Sequence, residues 1–480
     1  MIAPNAFRHY DIRGTVTHEF PIAHMYTLGR AFAAYVLQKN PQAKRIILGR
    51  DGRTHSPEIH RQFVQALFDS GFQIDDTGIC PTPLVYFATH THAYDAAVMI
   101  TASHNGPEYN GLKMCLGKNS IWGDEIQEIQ KLYLQQAKSV ARGAGLYQRV
   151  TLQQQYCEYM ATAFSDLKNF DKPILADCGN GAVGSLLRDV LEAVGLSTVS
   201  ILCEAVDGTY PNHLANPVEL ENMLHVIEEV KKNNAFLAVG FDGDGDRMAA
   251  ITQEGTLLAG DQLLSLFAID VLSRRSGAKI IFDSKCLLMV PDTIKKYGGR
   301  YFRSPSGHSI IKTAMREHGA LLGGELSCHF FFADEYFGYD DGIYAFLRLL
   351  RLVHTKQKNL TDLVSQFPQT HSVPEMRIFC KDDQKAQVIE NIKKYVAANT
   401  SYTLSFEDGI RFEDQDSWGL IRVSNTQPAL CVRYEAFTVQ GLQTIKELTE
   451  RALAQACKDL PSEPPVKNSV HERLTMKEIV

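Results

Sequence analysis

From residue 45 to residue 354 the chain repeatedly sets a short apolar run beside a stretch of helical periodicity, and few folds accept that rhythm. Apolar runs at 45–49 and 96–101 accompany helical periodicity over 56–72 and 124–141. This is the pattern of βαβ units, in which a strand, a crossover helix and a parallel strand recur. The pattern restarts near residue 170, with a buried strand 173–176 running into Asp177-Cys178-Gly179-Asn180-Gly181, then a helix 183–194, a strand 198–203, a helix 218–233 and a strand 236–241. A third unit follows from residue 254, with a helix 262–275, a strand 279–283 and helices 309–318 and 343–354. Three such units in succession predict mixed, mostly parallel sheets, with reactive loops at the strand ends. Beyond Val373-Pro374 the texture becomes α+β: a strand 376–380, a helix 383–398, several short strands up to Glu435 and a helix 438–457. The reading divides the chain at 1–150, 151–253, 254–370 and 371–460, with a tail, 461–480, that carries three prolines in its first five residues.

Bulk properties narrow the function. A chain of 480 residues exceeds one ordinary core, which agrees with several domains. A net charge of -6 with no basic run excludes a nucleic-acid surface, whose affinity depends on neutralised phosphates. No basic leader followed by an apolar core opens the chain, and no stretch reaches the ~18 apolar residues of a membrane span, so a cytoplasmic protein is expected. Ten scattered cysteines without a Cys-x-x-Cys pair give neither a zinc motif nor a disulfide framework.

The sharpest motif is Asp242-Gly243-Asp244-Gly245-Asp246-Arg247, directly after the apolar run 236–241. Three carboxylates at alternate positions, spaced by glycines that permit a tight turn, can converge on one hard divalent cation, for which Mg²⁺ is the natural guest. An EF-hand is excluded, since its sixth position holds Arg247 and its twelfth Gln253. A phosphatase with an aspartyl nucleophile in such a loop stays open. A second loop, Thr101-Ala102-Ser103-His104-Asn105-Gly106, follows the strand 96–100, with Lys113 beyond it. Ser103 beside His104 suits an acyl-transfer nucleophile or a phosphoryl carrier, and the Gly-x-Ser-x-Gly elbow of acyl transfer is missing. Gly323-Gly324-Glu325-Leu326-Ser327-Cys328-His329 brings a carboxylate, a hydroxyl and an imidazole together, a set suited to sugar hydroxyls. Arg422-Val423-Ser424-Asn425-Thr426-Gln427-Pro428, with Arg433 downstream, suits a phosphate dianion. Near the start, Arg8-His9-Tyr10-Asp11-Ile12-Arg13-Gly14 adds two arginines and a tyrosine.

Taken in order, Tyr10 to Gly14, Thr101 to Asn105, Asp242 to Arg247, Gly324 to Ser327 and Arg422 to Thr426 resemble the signature loops of the α-D-phosphohexomutase superfamily, over roughly residues 5–457. The resemblance implies a heart-shaped, four-domain molecule: three α/β domains and a C-terminal α+β domain around a central cleft. It implies that Ser103 carries the phosphoryl group, with its phosphate on a Mg²⁺ held by Asp242, Asp244 and Asp246. Arg13 and Arg247 would stabilise the transferred group, with His104 and Lys113 as active-site side chains. Lys113 would exchange a proton with the sugar hydroxyl, for which its pKa must fall, and His329 is a second acid/base candidate. Glu325 and Ser327 would bind sugar hydroxyls, and Arg422, Ser424, Asn425, Thr426 and Tyr10 the other phosphate, joined by Arg433. Lys285 and His308 match cleft positions. Small hexose phosphates would be the partners, a hexose 1,6-bisphosphate the intermediate and activator, and the chain a monomer or weak homodimer.

Leu326 offers no hydrogen bond to an amino group, and Gly-Glu-Leu-Ser resembles the loop of bacterial phosphomannomutase/phosphoglucomutase more than that of phosphoglucosamine mutases. Mannose and glucose phosphates are therefore the expected sugars, with phosphoglucosamine mutase, sugar phosphatase and non-catalytic sugar-phosphate binding as alternatives. One departure stands out: Cys328 replaces a family glycine, removing conformational freedom between Ser327 and His329.

Overall fold

The computed structural model describes residues 1–136, 144–373, 375–381, 383–424 and 429–457. Asn425, Thr426 and the 461–480 tail lie outside the described residues. The chain forms two compact units, Met1–Phe367 and Pro368–Val480.

The first unit contains three mixed sheets. In the first, Arg45–Arg50 runs parallel to Gln73–Ile79 and to Ala96–Ile100. Its interior, Ile46 to Gly49, is buried on both faces, as expected of a strand covered by helices on each side. The helices Met25–Lys39 and Ser56–Asp69 pack closely, and Gly29 permits the approach: a Cβ there would lie 2.7 Å from the Ala66 methyl. Tyr109–Leu116 then adds antiparallel to Ala96–Ile100, and Ile12–Thr15 antiparallel to it, with Arg13 opposite Gly111. Directly opposed residues share a face, and so do residues two apart, so Arg13 and Lys113 project to the same side of this sheet.

The second sheet orders its strands Met248–Thr252, Leu237–Phe241, Ile174–Asp177 and Val199–Leu202, the last three parallel. The third orders Arg300–Ser304, Lys279–Asp283, Leu322–Gly324 and Phe330–Phe332, with the first three parallel. The second unit is an antiparallel sheet, including Ile410–Glu413, Ser417–Val423 and Ala429–Ala436. The helices Lys385–Asn399 and Val439–Cys457 cover its apolar face through Val388, Ile392, Ile445 and Ala452.

Some expected elements change at their ends. The helix expected over 183–194 is a 3₁₀ turn, Ala182–Ser185, followed by the α-helix Leu187–Val194. Gly184 lies against the Glu204 carbonyl, 1.8 Å from where a Cβ would be, so the first turn is fixed by that contact and not by helical packing. The helix expected from 56 stops at Asp69, because Gly71 adopts φ +79°. The helix expected over 124–141 is described as Asp124–Leu134. The helices Met25–Lys39, Thr82–Thr91 and Gln153–Ala163 have no counterpart in the sequence reading.

Gln153–Ala163 is tied to the helix Gly342–Lys356 through a buried carboxylate. Asp341 caps that second helix by accepting from Tyr344 N at 3.0 Å, and accepts from Tyr156 and Tyr336 hydroxyls at 2.9 Å each. Burial pushes the Asp341 carboxyl up to about 6, against the opposing pull of those donors. Between about pH 4 and 6 the folded chain therefore holds a proton that the unfolded chain has lost, and stability falls as pH rises through that window, by about 1.4 kcal/mol per pH unit. Asp341→Asn removes this contribution. Urea unfolding of both proteins across the window is expected to show the stability difference shifting in favour of the variant as pH rises.

Candidate active site

The strand Leu237–Phe241 delivers Asp242 at its C-terminal end, and the loop that follows turns back at once. Gly243 is required by crowding, since a Cβ would lie 2.5 Å from the Ser103 carbonyl oxygen, and Gly245 by its φ of +76°. The turn buries all three aspartates completely, and their nearest carboxylate oxygens fall within 4.8 Å of one another. Asp242 Oδ1 accepts from Gly245 N at 3.0 Å and from Arg247 N at 3.2 Å. Asp244 Oδ2 accepts from Thr82 Oγ1 at 2.5 Å, at the N-terminus of the helix Thr82–Thr91, whose dipole favours a negative group. Asp244 Oδ1 is buried without a hydrogen-bond partner. Three oxygen donors around an orphaned carboxylate oxygen fit a hard divalent cation.

The serine loop meets this cluster directly. Ser103 Oγ donates to Asp242 Oδ2 at 2.7 Å and lies 3.2 Å from His104 Nδ1. Ser103 has φ +52°, a left-handed conformation that a non-glycine residue adopts at a cost. Arg53 holds it there. This guanidinium, with no exposed surface, donates to the carbonyls of Ser103 and Asn105 at 2.7 Å each, Gly106 at 2.5 Å and Tyr109 at 3.1 Å. Asp51 accepts its remaining Nε–H at 3.0 Å. Sequence reasoning missed Arg53; the signal was Arg50-Asp51-Gly52-Arg53 at the end of a parallel strand.

Cations surround the acids. Lys113 Nζ lies 2.7 Å from Asp244 Oδ2 and also donates to Asp246 Oδ2. The sequence reading requires a lowered pKa for this lysine, and the structure reverses the direction. Burial works against the ammonium, but Asp244 and Asp246 outweigh it and hold the lysine charged above its ordinary range. Arg13 donates to Asn105 Oδ1 at 2.7 Å and pairs with Asp11. Burial, with Arg247 and Arg13 nearby, holds His104 well below its usual pKa and therefore neutral.

His329 joins this loop to the sugar-type loop. Its Nε2 lies 3.3 Å from Asp246 Oδ1 and its Nδ1 3.0 Å from Glu325 Oε2. Burial and Arg247 oppose the imidazolium, yet the two carboxylates push it up to about 9. Arg247 Nε approaches Nε2 to 3.2 Å in hydrogen-bond geometry and competes with Asp246 for this nitrogen. Ser327 Oγ lies 3.0 Å from His329 Nδ1. Glu325 Oε1 accepts from Gly307 N at 2.6 Å, next to His308, whose ring stacks on His329 at 5.7 Å. Tyr10 reaches the same segment by donating to Ser306 O at 2.6 Å. Lys285 Nζ lies 3.6 Å from Asp283 Oδ2 at the end of the neighbouring strand. Sequence reasoning also missed Asp340, which accepts from Lys312 at 2.9 Å and lies 3.6 Å from His308.

In the second unit, Arg422 lies 3.7 Å from Asp408, Ser424 O accepts from Lys385 at 2.9 Å, and Arg433 is buried.

Four family models match the chain in order: phosphoglucomutase/phosphomannomutase alpha/beta/alpha domain I over residues 4–139, domain II over 154–255, domain III over 259–371, and the C-terminal domain over 375–452. A phosphomannomutase/phosphoglucomutase of Pseudomonas aeruginosa is 38% identical over 455 residues, covering 95% of this chain and 96% of that protein. A phosphoglucomutase of Neisseria gonorrhoeae is 36% identical over 446 residues, covering 93% and 96%. The crystal structure of a phosphoglucomutase/phosphomannomutase family protein from Burkholderia thailandensis superposes with a TM-score of 0.87 at 32% identity, covering 96% of this chain and 99% of that one.

Cys328 occupies φ +65° with its side chain buried. Glycine there would relieve about 1–2 kcal/mol of left-handed strain. It would also lose about 1 kcal/mol of burial and about 0.4–1 kcal/mol through the freer unfolded chain. Cys328→Gly is thus expected to leave stability nearly unchanged, while Cys328→Val, β-branched at positive φ, loses about 2 kcal/mol or more. Thermal unfolding of the two variants checks the contrast.

Proposed function

Because the chain belongs to the phosphoglucomutase/phosphomannomutase family, we propose that it moves a phosphoryl group between C1 and C6 of a hexose phosphate, with Ser103 as carrier. The observation that carries this reading is the 2.7 Å hydrogen bond from Ser103 Oγ to Asp242, inside a buried triplet of acids ringed by Lys113, Arg247 and Arg13. Asp242, Asp244 and Asp246 would hold Mg²⁺, which when bound supplies positive charge beside the phosphate on Ser103.

The residues divide the work by charge state. Arg13 and Arg247 place guanidinium groups where charge spreads over the transferred phosphoryl oxygens. His329, held as imidazolium by Asp246 and Glu325, has a proton to offer a departing sugar oxygen. His104, neutral and 3.2 Å from Ser103 Oγ, is suited to hold the serine proton when the phosphoryl group returns. Lys113 is a charge partner of the acids, and becomes a proton carrier only where a cation takes its place at Asp244 and Asp246. Glu325 and Ser327 bind sugar hydroxyls, with Lys285 and His308 on the same loops. Tyr10, Arg422, Ser424, Asn425, Thr426 and Arg433 are assigned to the phosphate that is not being transferred.

In the forward direction Ser103 Oγ–P breaks as a P–O bond forms to one end of the hexose phosphate, giving a 1,6-bisphosphate. After that intermediate turns around, its other phosphate returns to Ser103, and the starting enzyme is regenerated. The family relatives' names, together with the apolar Leu326, favour mannose and glucose phosphates as substrates. We assign the four domains to 1–150, 151–253, 254–370 and 371–460, and read the protein as a cytoplasmic monomer or weak homodimer. No described helix is long and apolar enough to cross a membrane.

Ser103→Ala is expected to lower turnover of mannose 1-phosphate and glucose 1-phosphate by at least about 1,000-fold, the scale on which removal of a covalent nucleophile acts. In the wild type, chelation of Mg²⁺ is expected to abolish turnover and readdition to restore it, while added hexose 1,6-bisphosphate removes any lag. Coupled assays on mannose, glucose and glucosamine phosphates read all of these. Full activity of Ser103→Ala would sink the carrier role in favour of a phosphatase with Asp242 as nucleophile, and a dominant rate with glucosamine phosphate would overturn the substrate choice.

A further inference from the structure

Asp177, Cys203 and His213 bring a carboxylate oxygen, a sulfur and an imidazole nitrogen within 4.8 Å of one another, at a place that the phosphoryl chemistry does not use. Asp177 ends the strand Ile174–Asp177, and Cys203 follows the parallel neighbour Val199–Leu202, so both lie at the carboxyl ends of adjacent strands, where α/β sheets bind ligands. The loop that returns across these ends carries His213. Gly179, at φ +53°, packs against this loop, where a Cβ would lie 3.1 Å from the Ala215 methyl and 3.4 Å from His213 Cε1.

The imidazole is oriented as a ligand would be. His213 Nδ1 lies 3.0 Å from the Leu214 carbonyl oxygen, which fixes the proton on Nδ1 in the neutral ring and turns the Nε2 lone pair inward. Metal-binding histidines are set in this way, with the second nitrogen donating to a backbone carbonyl. Nε2 is buried and makes no hydrogen bond; it lies 3.1 Å from Asp177 Oδ2, in ion-pair contact. Asp177 is itself fully buried, with its other oxygen accepting from Gly179 N at 3.3 Å. Three potential ligand atoms therefore lie within 4.8 Å of one another around a buried carboxylate, whose charge is offset by a proton on Nε2 or by a cation in its place. Burial opposes a charged ring here, yet Asp177 and Cys203 push His213 up to about 10, which measures how strongly the pocket favours positive charge.

The donor set selects the cation. Thiolate, imidazole and carboxylate together are the ligands of Zn²⁺ and its relatives, whereas Mg²⁺ takes oxygen. Cys203 is half-buried, while the other cysteines whose side chains are described are buried, so its sulfur is reachable. His225, exposed on the helix Leu220–Lys232, has its ring 5.7 Å from that of His213 and is the nearby candidate for a further ligand.

We propose that Asp177, Cys203 and His213 form a binding site for a thiophilic divalent cation of the zinc type, separate from the acidic triplet. On binding, Cys203 releases its thiol proton and His213 the proton on Nε2, and both protons pass to solvent. The full-length protein, saturated with Mg²⁺, is titrated with Co²⁺ as a spectroscopic probe. The expected result is a near-ultraviolet thiolate-to-cobalt charge-transfer band, displaced by Zn²⁺ but not by Mg²⁺, and lost in Cys203→Ser and in His213→Gln. Co²⁺ at the triplet gives no such band, because no sulfur lies among its ligands. Cys203→Ser is expected to keep the wild-type circular dichroism and mutase activity, which separates loss of the site from loss of the fold. Absence of the band in the wild type, or its survival in Cys203→Ser, overturns the site.

Discussion

Three buried carboxylates within 4.8 Å of one another are the constraint around which the first unit is arranged. At an effective dielectric constant of about 20, two unit charges ~4 Å apart interact by about 4 kcal/mol, so the triplet persists only if neighbouring segments supply compensation. They come from far along the chain. Lys113 arrives from a strand of the first sheet, Thr82 from a helix N-terminus, Arg247 from the loop itself and His329 from the third sheet. The repulsion shows most at Asp242, which burial and its two acidic neighbours push up to about 7 despite Arg247 and Lys113.

The second dependency is mechanical. Ser103 has a left-handed backbone, as does Cys328 in the loop opposite, and both are held by surroundings and not by residue preference. For Ser103 the holder is Arg53, whose five donor positions satisfy four carbonyls and a carboxylate. A lysine could not reproduce this fan, because it offers a single point of attachment. For Cys328 the holder is the short Glu325–His329 turn, closed by Glu325 N to His329 O at 3.0 Å and Cys328 N to Glu325 O at 3.0 Å. The serine loop and the Glu325–His329 loop thus have their positions set by hydrogen bonds within the protein, the kind of preorganisation that a catalytic site requires.

Much of this was readable from the sequence where local chemistry dominates. The apolar runs that became Arg45–Arg50, Ala96–Ile100 and Leu237–Phe241 announce buried strands, and Asp-Gly-Asp-Gly-Asp announces its own turn. What escaped depends on partners distant in sequence. Tyr109–Leu116 is a strand because Ala96–Ile100 and Ile12–Thr15 flank it antiparallel, although Gly111 and Lys113 interrupt its apolar pattern. Proton exchange by Lys113 requires its pKa to fall, and the sequence shows nothing that opposes this. The pKa rises because two carboxylates 131 and 133 residues away in sequence lie against the lysine. Asp340 was overlooked for the same reason, since it matters through Lys312 and His308, whereas Arg53 had a local signal in Arg50-Asp51-Gly52-Arg53 whose meaning appears only in the carbonyls it reaches.

The charges around the serine loop also say what a phosphate there would demand. Asp242, Asp244 and Asp246 are faced by Lys113, Arg247 and the His329 imidazolium, the last shared with Glu325. The set is close to neutral with the serine hydroxyl uncharged. A phosphate dianion on Ser103 adds two negative charges to a site without solvent to screen them, and Arg13, already committed to Asp11 and Asn105, offsets only part of that. A divalent cation held by the three aspartates would supply the missing positive charge, and it would share Asp244 and Asp246 with the Lys113 ammonium that contacts them. Charge on the serine, occupancy of the acids and the charge state of Lys113 would therefore be coupled, because Asp244 and Asp246 are what hold the lysine charged.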